Sequence, residues 1–384
     1  MTVSLPSRAD VVVVGGGVMG TSVAFHLAEA GVDVLLLERD GLASGSSGKP
    51  VGGVRAQFSD PVNVALGARS LRAFADFARR PGDDIGLRRV GYLFLLDDPA
   101  QLPVFEASLA VQHAHGVTSR LVDVAEATRL NPYVDGSRYL AAAWSPEDGW
   151  ARPAAVVHGY AAAARRHGAT VRTGTTVTGV EVRGGEVVAV ATAAGTVRTS
   201  TVVCCAGAWS RTVGAMVGVD LPVEPLRRQI AFSAPLERSV IDRPFTIDAT
   251  STFYVHGADD GVLLGWADPD QPVGDERRYD PSWLPRLRER ARRCVPALAD
   301  VPLVDGWAGL YEVTPDRNAL VGEAPDVSRF LYAAGFSGHG FLQGPAVGEA
   351  VRDLVLGREP VVDVSSLDVA RLATDRHVRE VAIV

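Results

Sequence analysis

A run of four valines, Val11–Val14, passes directly into Gly15-Gly-Gly17-Val-Met-Gly20. Four β-branched residues in a row make a buried strand, and the glycine pattern turns it sharply into a helix over about 18–30. A second apolar strand, Val34–Leu37, ends on Glu38. This is the strand–turn–helix–strand order of a dinucleotide site. Gly15 makes the tight turn, Gly17 leaves room for a pyrophosphate, and Gly20 lets the helix approach the sheet. The helix N-terminus offers unpaired N–H groups and a partial positive charge to phosphates. Glu38 lies 18 residues after Gly20, where a carboxylate accepts from ribose hydroxyls and repels a 2′-phosphate, which argues against NADP.

The 384 residues call for one large or two interleaved domains. A net charge of −7 without an extended basic tract gives no footprint for nucleic acid or an anionic membrane. No 18-residue apolar stretch implies a membrane span, and the polar start does not read as a signal peptide. Cys204 and Cys205 are adjacent, so a strand would send them to opposite faces. With Cys294 they read as reduced core residues of a cytoplasmic protein. Lys49 is the single lysine among 38 basic residues.

Helical periodicity covers 61–80, 99–115, 153–167, 281–294 and 345–356. Pro153 and Pro345 suit first-turn positions, and Gly168 and Gly357 suit the residue just past a helix end. Strand patterns fall at 89–96, 139–144, 177–182, 187–192, 201–205, 230–233, 252–255, 262–266 and 330–333, with a hairpin turning at Gly184-Gly185. The order predicts an α/β chain. A Rossmann-like nucleotide domain is assembled from 1–80, 150–220 and 310–384. It interleaves with an antiparallel-sheet α+β substrate domain from 81–149 and 221–309. A second Gly-x-Gly-x-x-Gly, expected of tandem nucleotide domains, is absent.

Five signatures resemble the FAD-dependent amine oxidoreductases of the D-amino-acid oxidase superfamily. They resemble most the branch of sarcosine oxidases, glycine oxidase and L-proline dehydrogenase β subunits. The signatures are Gly15–Glu38; Ser44-Gly-Ser-Ser-Gly48 leading to Gly53-Val-Arg55; Val202 to Ser210 around Gly207-Ala-Trp209; Thr314-Pro-Asp316; and Gly335-Phe-Ser-Gly-His-Gly-Phe341. The resemblance implies FAD rather than NAD. It places FAD against Gly15, Gly17, Val18, Met19, Gly20, Glu38 and Arg39. Ser46 and Ser47 stand on the pyrophosphate side, Val177 at the adenine, and Gly207 and Trp209 over the ADP moiety. The loop of Gly335, Phe336, Gly338, His339, Gly340 and Phe341 embraces the flavin, where backbone N–H groups stabilise negative charge on the reduced ring. At His339 the backbone is expected to matter more than the ring.

Relatives of this kind oxidise a C–N bond by hydride transfer to flavin N5, leaving an imine. The protein's share is orientation, often through an arginine on a substrate carboxylate. Arg55 matches that arginine, and Tyr254 and Tyr311 resemble sarcosine-oxidase active-site tyrosines. Three positions depart from monomeric sarcosine oxidase. Gly309 replaces the flavin-linking cysteine, so FAD is expected to be non-covalent. Leu263 replaces an oxygen-activating lysine, and Leu342 a carboxylate-binding lysine. Lys49 falls in the 15-residue flavin-side segment 44–58, which chance alone would give a single lysine about 4% of the time. It is a candidate to face flavin or substrate. No metal site is expected.

The expected substrate is an amine, amino acid, N-methyl amino acid or cyclic imino acid, with O2 or another acceptor taking the electrons. Homo- and hetero-oligomers both fit. Three rivals make separate predictions. A β-like subunit of a hetero-oligomeric dehydrogenase would co-purify with partners and ignore O2. A non-catalytic flavin protein would bind FAD that no amine bleaches. An NAD-dependent dehydrogenase would be colourless.

Overall fold

A computed structural model describes residues 5–373 and residue 380; the ends of the segments 1–80 and 310–384 therefore lie partly outside the described residues. The chain is α/β, built on two large sheets and two small ones. In the first, Val11–Val14 lies parallel between Val34–Leu37 and Thr201–Cys204. Thr170–Arg172 extends it on one side. Phe330–Ala334, then the antiparallel Leu320–Glu323, extend it on the other.

Both faces of this sheet are covered, which is why its strands read as unbroken apolar runs and not alternations. Val11, Val13, Val34, Leu36 and Val203 pack on helices. Val12, Val14, Leu35, Leu37 and Val202 pack on the three-stranded antiparallel sheet of Val177–Arg183, Glu186–Thr192 and Gly195–Arg198. Each buried valine or leucine is worth roughly 1.5–3 kcal/mol. Cys204 and Cys205 go to opposite faces, and all three cysteines are buried and unpaired. The hairpin turns at Gly184-Gly185, both at positive φ.

The first helix, Val18–Glu29, packs against Pro153–Arg166 and Gly340–Val355. Glycines set the last approach: a Cβ on Gly344 would lie 2.8 Å from Val18 Cγ2. Pro153 opens its helix, and Gly168 and Gly357 follow helix ends at positive φ, as their chemistry requires. Pro345 does not open a helix. The final helix begins at Gly340 and carries Pro345 inside. Beside it, Ala346 N–H donates to Ser70 Oγ at 3.1 Å. Elsewhere the largest single-end shortfalls against the periodicity are at Pro61–Ala75 and Leu284–Cys294.

The second sheet has eight strands in the order Leu303–Val313, Glu224–Ser233, Gly261–Trp266, Phe253–Ala258, Phe245–Asp248, Tyr92–Leu96, Ala141–Ser145, Arg120–Val122. Its pairings are antiparallel except between Phe245–Asp248 and Tyr92–Leu96. Alternation splits its faces. Leu93, Leu95, Val255 and Leu264 pack on the helix Leu284–Cys294. Tyr92, Phe94, Ile230, Phe245, Ile247 and Tyr254 form the other face. Periodicity had missed Leu303–Val313, whose residues are too evenly mixed to alternate and which lies at the sheet edge. Among the described residues, no helix is long and apolar enough to cross a membrane.

Candidate active site

One cleft joins the two large sheets. It encloses about 2040 Å³, part of it open to solvent.

The first wall is the turn after Val14. Gly15 has φ +116°, and a side chain there would run into the Cys205 carbonyl. Gly17 meets only Ser47 Oγ, 2.9 Å from where its Cβ would be. Ser47 Oγ accepts from Val18 N–H at 2.9 Å, and Glu38 accepts from Gly16 N–H at 2.6 Å. Thus the Ser47 hydroxyl occupies one orphan donor of the first helix, and Glu38 holds an N–H of the turn that precedes it. Ser46 Oγ is buried with no partner among the described residues. Gly15, Gly17, Val18, Met19, Glu38, Arg39, Ser46, Ser47, Val177, Gly207 and Trp209 all line the cleft. Trp209 lies under Arg39, whose guanidinium carbon is 4.4 Å from the ring centroid. Gly20 stands behind this wall, against the Gly15 carbonyl.

The second wall is the loop before the final helix. Gly335 and Gly338 have φ of +70° and +101°. Gly338, His339, Gly340, Phe341 and Leu342 line the cleft, and Gly340 starts a 16-residue helix whose N-terminus opens there. Gly335 and Phe336 stand one layer back. Gly335 N–H donates to Glu312 at 3.2 Å, and the Phe336 side chain is core. The His339 ring packs edge-on against Phe58 at 4.8 Å, and its Nε2 has no hydrogen-bond partner among the described residues. Burial, reinforced by the Arg55 charge, depresses its pKa to about 3, so the ring is neutral.

Two helix N-termini, several exposed backbone donors, an unpartnered buried serine hydroxyl and a tryptophan under an arginine match the donor set that FAD needs. Were FAD bound, Gly15–Met19 and Ser46–Ser47 would be the donors for its phosphates, Glu38 the acceptor for its ribose, and Gly338–Leu342 the backbone beside its flavin ring.

The third wall is the aromatic face of the eight-stranded sheet. Tyr254 pairs with Gly265, as does Ile230, so both point to the same side. Tyr311 stands on the edge strand, with Gly338 against its ring. Arg55 lines the cleft but is 4% exposed. Its guanidinium donates to the Gln57 carbonyl and lies 4.1 Å from the Phe58 ring centroid and 5.3 Å from that of Phe94. Lys49 sits at the mouth, exposed, with Nζ 5.1 Å over the Trp307 ring. A Cβ on Gly309 would lie 2.7 Å from Lys49 Cβ, so the lysine stem packs where a side chain at 309 would stand.

Arg228 and Glu312 also line the cleft, and sequence reasoning missed both. Glu312 follows Tyr311 on an edge strand that the cleft wraps, so neighbouring residues both reach it. Burial, opposed by the Gly335 and Phe336 N–H groups, pushes its pKa up to about 7. Arg228 precedes an apolar strand run at the right parity to share its cleft face with Ile230. Reading that strand back to 224 would have revealed it. The Thr314-Pro-Asp316 motif is structural: Asp316 is ion-paired to Arg371, and Thr314 Oγ1 donates to the Asn318 carbonyl at 2.8 Å.

The family model described as "DAO: FAD dependent oxidoreductase" matches residues 10–354. Mouse mitochondrial dimethylglycine dehydrogenase is 28% identical over 94% of this chain, which spans only 44% of that enzyme. The structure of L-proline dehydrogenase from P. horikoshii superposes with a TM-score of 0.92, 31% identity, 96% of this chain and 99% of that one. Glycine oxidase from Geobacillus kaustophilus gives 0.85, 25%, 97% and 100%.

Proposed function

Since the chain belongs to the DAO family of FAD-dependent oxidoreductases, we propose that it oxidises the C–N bond of an amino acid, N-methyl amino acid or cyclic imino acid. The observation that carries this reading is the continuity of the cleft. Donors suited to FAD run without a break into an aromatic sheet face that holds an arginine and two tyrosines. The likeness to L-proline dehydrogenase and the share of sequence common with dimethylglycine dehydrogenase both favour an N-alkylated amino acid over a primary amine.

Bound FAD would supply the acceptor for a hydride from the carbon next to the substrate nitrogen, leaving an imine for water to hydrolyse. The chain's own work is placement. Ile230, Ile247, Phe245 and Tyr254 give an apolar wall for the substrate body. Burial raises the Tyr254 and Tyr311 hydroxyls above their ordinary pKa, so both stay protonated and act as donors. The helix N-terminus at Gly340 favours negative charge on the neighbouring ring edge. Gly309 offers no nucleophile, so FAD is held without a covalent bond there. Lys49 brings a cation to the cleft mouth. Electrons pass on to O2 or another acceptor.

The test is anaerobic addition of cyclic imino acids, N-methyl amino acids and primary amino acids to the yellow protein. Bleaching by one class supports the reading, and the return of colour in air identifies an oxidase. A yellow protein that no member bleaches refutes it.

A further inference from the structure

Glu312 is a carboxyl group without a cation, set into the part of the cleft that fits FAD. It lies on the edge strand Leu303–Val313, half-buried, and lines the cleft. Gly335 N–H donates to its Oε2 at 3.2 Å, and Phe336 N–H donates to the same carboxyl. Its other close neighbours are backbone. A Cβ on Gly207 would lie 3.6 Å from Oε2, and a Cβ on Gly340 would lie 3.5 Å from Oε1. Gly207 follows the strand Thr201–Cys204, and Gly340 starts the final helix. The carboxyl thus stands where the first and second walls of the cleft meet.

Among the described residues no arginine or lysine pairs with it, and the ionisable groups nearest to it are neutral at pH 7. On its own strand is the Tyr311 hydroxyl, which burial keeps protonated. From the strand Thr201–Cys204 and the turn after it come the Cys204 and Cys205 thiols, whose pKa values burial raises and the Glu312 charge raises further. On the glycine loop is His339, neutral through its burial and the Arg55 charge. On the paired strand Pro225 stands opposite Glu312. Next to Pro225, Glu224 faces Arg211 at 3.8 Å, and further along Arg228 lies against the Tyr311 ring.

In the empty cleft, water solvates the anion from the open side. FAD replaces that water and brings an anionic pyrophosphate into the same channel, and both changes disfavour the ionised form. The neutral acid tolerates the exchange. Its carbonyl oxygen goes on accepting from the two N–H groups, and its O–H is left to donate to an oxygen of the cofactor. Without FAD the group already titrates at about 7, because burial outweighs the two N–H donors. We propose that Glu312 binds FAD as the neutral acid, so that loading the cofactor draws a proton from solvent and a rise in pH expels the cofactor. The coupling is reciprocal: what FAD adds to proton affinity, the proton adds to FAD affinity. It rests on FAD in the cleft and is independent of what the flavin oxidises.

Equilibrium dilution of the FAD-loaded protein, read by the fluorescence of released flavin from pH 6 to pH 9, tests this without substrate or turnover. With a pKa of about 7 in the free protein, Kd should rise about 90-fold between pH 6 and pH 9. Glu312→Gln copies the neutral acid. Its Kd should match that of wild type at pH 6, stay level to pH 9, and be about 90-fold below wild type there. Glu312→Ala should also be level, with Kd about fivefold above wild type at pH 6 for the lost hydrogen bond. Melting temperatures like that of wild type at pH 6 show that each variant is folded. If Glu312→Gln fails to fold, Glu312→Ala carries the comparison. A wild-type Kd that does not change with pH overturns the proposal. So does a parallel rise in wild type and either variant, which puts the proton on another group. A Kd of Glu312→Gln above that of wild type at pH 9 overturns it as well, because FAD is then held by the ionised carboxylate.

Discussion

Asp148 ties the second sheet to the flavin-side segment, and its titration should be visible in the stability of the protein. It is completely buried. Oδ1 accepts from Ala56 N–H at 3.3 Å, next to Arg55, and Oδ2 has no hydrogen-bond partner among the described residues. Burial pushes its pKa from 3.8 up to about 7, opposed by the Ser145 hydroxyl and the Arg55 charge. A carboxyl whose pKa is raised on folding binds its proton more tightly in the native state. Its stabilising contribution is therefore full below about pH 4 and is lost as pH climbs through about 7. At about 1.36 kcal/mol per pH unit, the rise amounts to roughly 4 kcal/mol across that window. Asp148→Asn keeps an acceptor for Ala56 N–H and removes the titration. Its buried amide adds a cost of about 1–3 kcal/mol that is the same at every pH. The quantity to measure is the difference in melting temperature between variant and wild type, at pH 4.5 and at pH 8. With an unfolding entropy of about 2.1 cal/mol/K per residue, the chain loses about 0.8 kcal/mol per degree, so between these two pH values the difference should move by about 4 °C in favour of Asn as pH rises. A difference that stays constant refutes the argument, because it would mean that Asp148 is solvated or paired in the native state.

Acid precipitation should leave the yellow colour in the supernatant, since Gly309 cannot bond flavin; a yellow pellet would show a covalent link from another residue. Gly338→Ala puts a Cβ 2.6 Å from the Tyr311 ring at φ +101°, a strain of about 1–3 kcal/mol. FAD content per protein should fall markedly, and normal flavin content would show that the loop accommodates the change. Lys49→Met should slow re-oxidation in air about fivefold, the kinetic equivalent of about 1 kcal/mol from an exposed charge, with anaerobic bleaching unchanged. Equal re-oxidation removes Lys49 from the chemistry.

The features that the sequence determined by itself are those whose physics is local. The turn at Gly15, the helix from Val18, Pro153 opening its helix, Gly168 and Gly357 past helix ends and the Gly184-Gly185 hairpin each depend on residues within a few positions. The unbroken valine run also announced a strand covered on both faces. Pro345 departs from the expectation inside a helix whose next residue, Ala346, is bonded by Ser70, 276 residues from it, a contact no local rule contains. Tertiary structure alone decided the substrate wall. Register across strands separated by more than two hundred residues brings Tyr92, Ile230, Phe245, Tyr254 and Tyr311 to one face, and no short window of sequence contains that pairing. It likewise separated two arginines that look alike in sequence. Arg55 sinks between two phenyl rings with its guanidinium donating to the Gln57 carbonyl, while Arg228 lines the cleft with no ion-pair partner among the described residues. Donor satisfaction is a property of what folding places nearby, and the residue's own identity does not carry it.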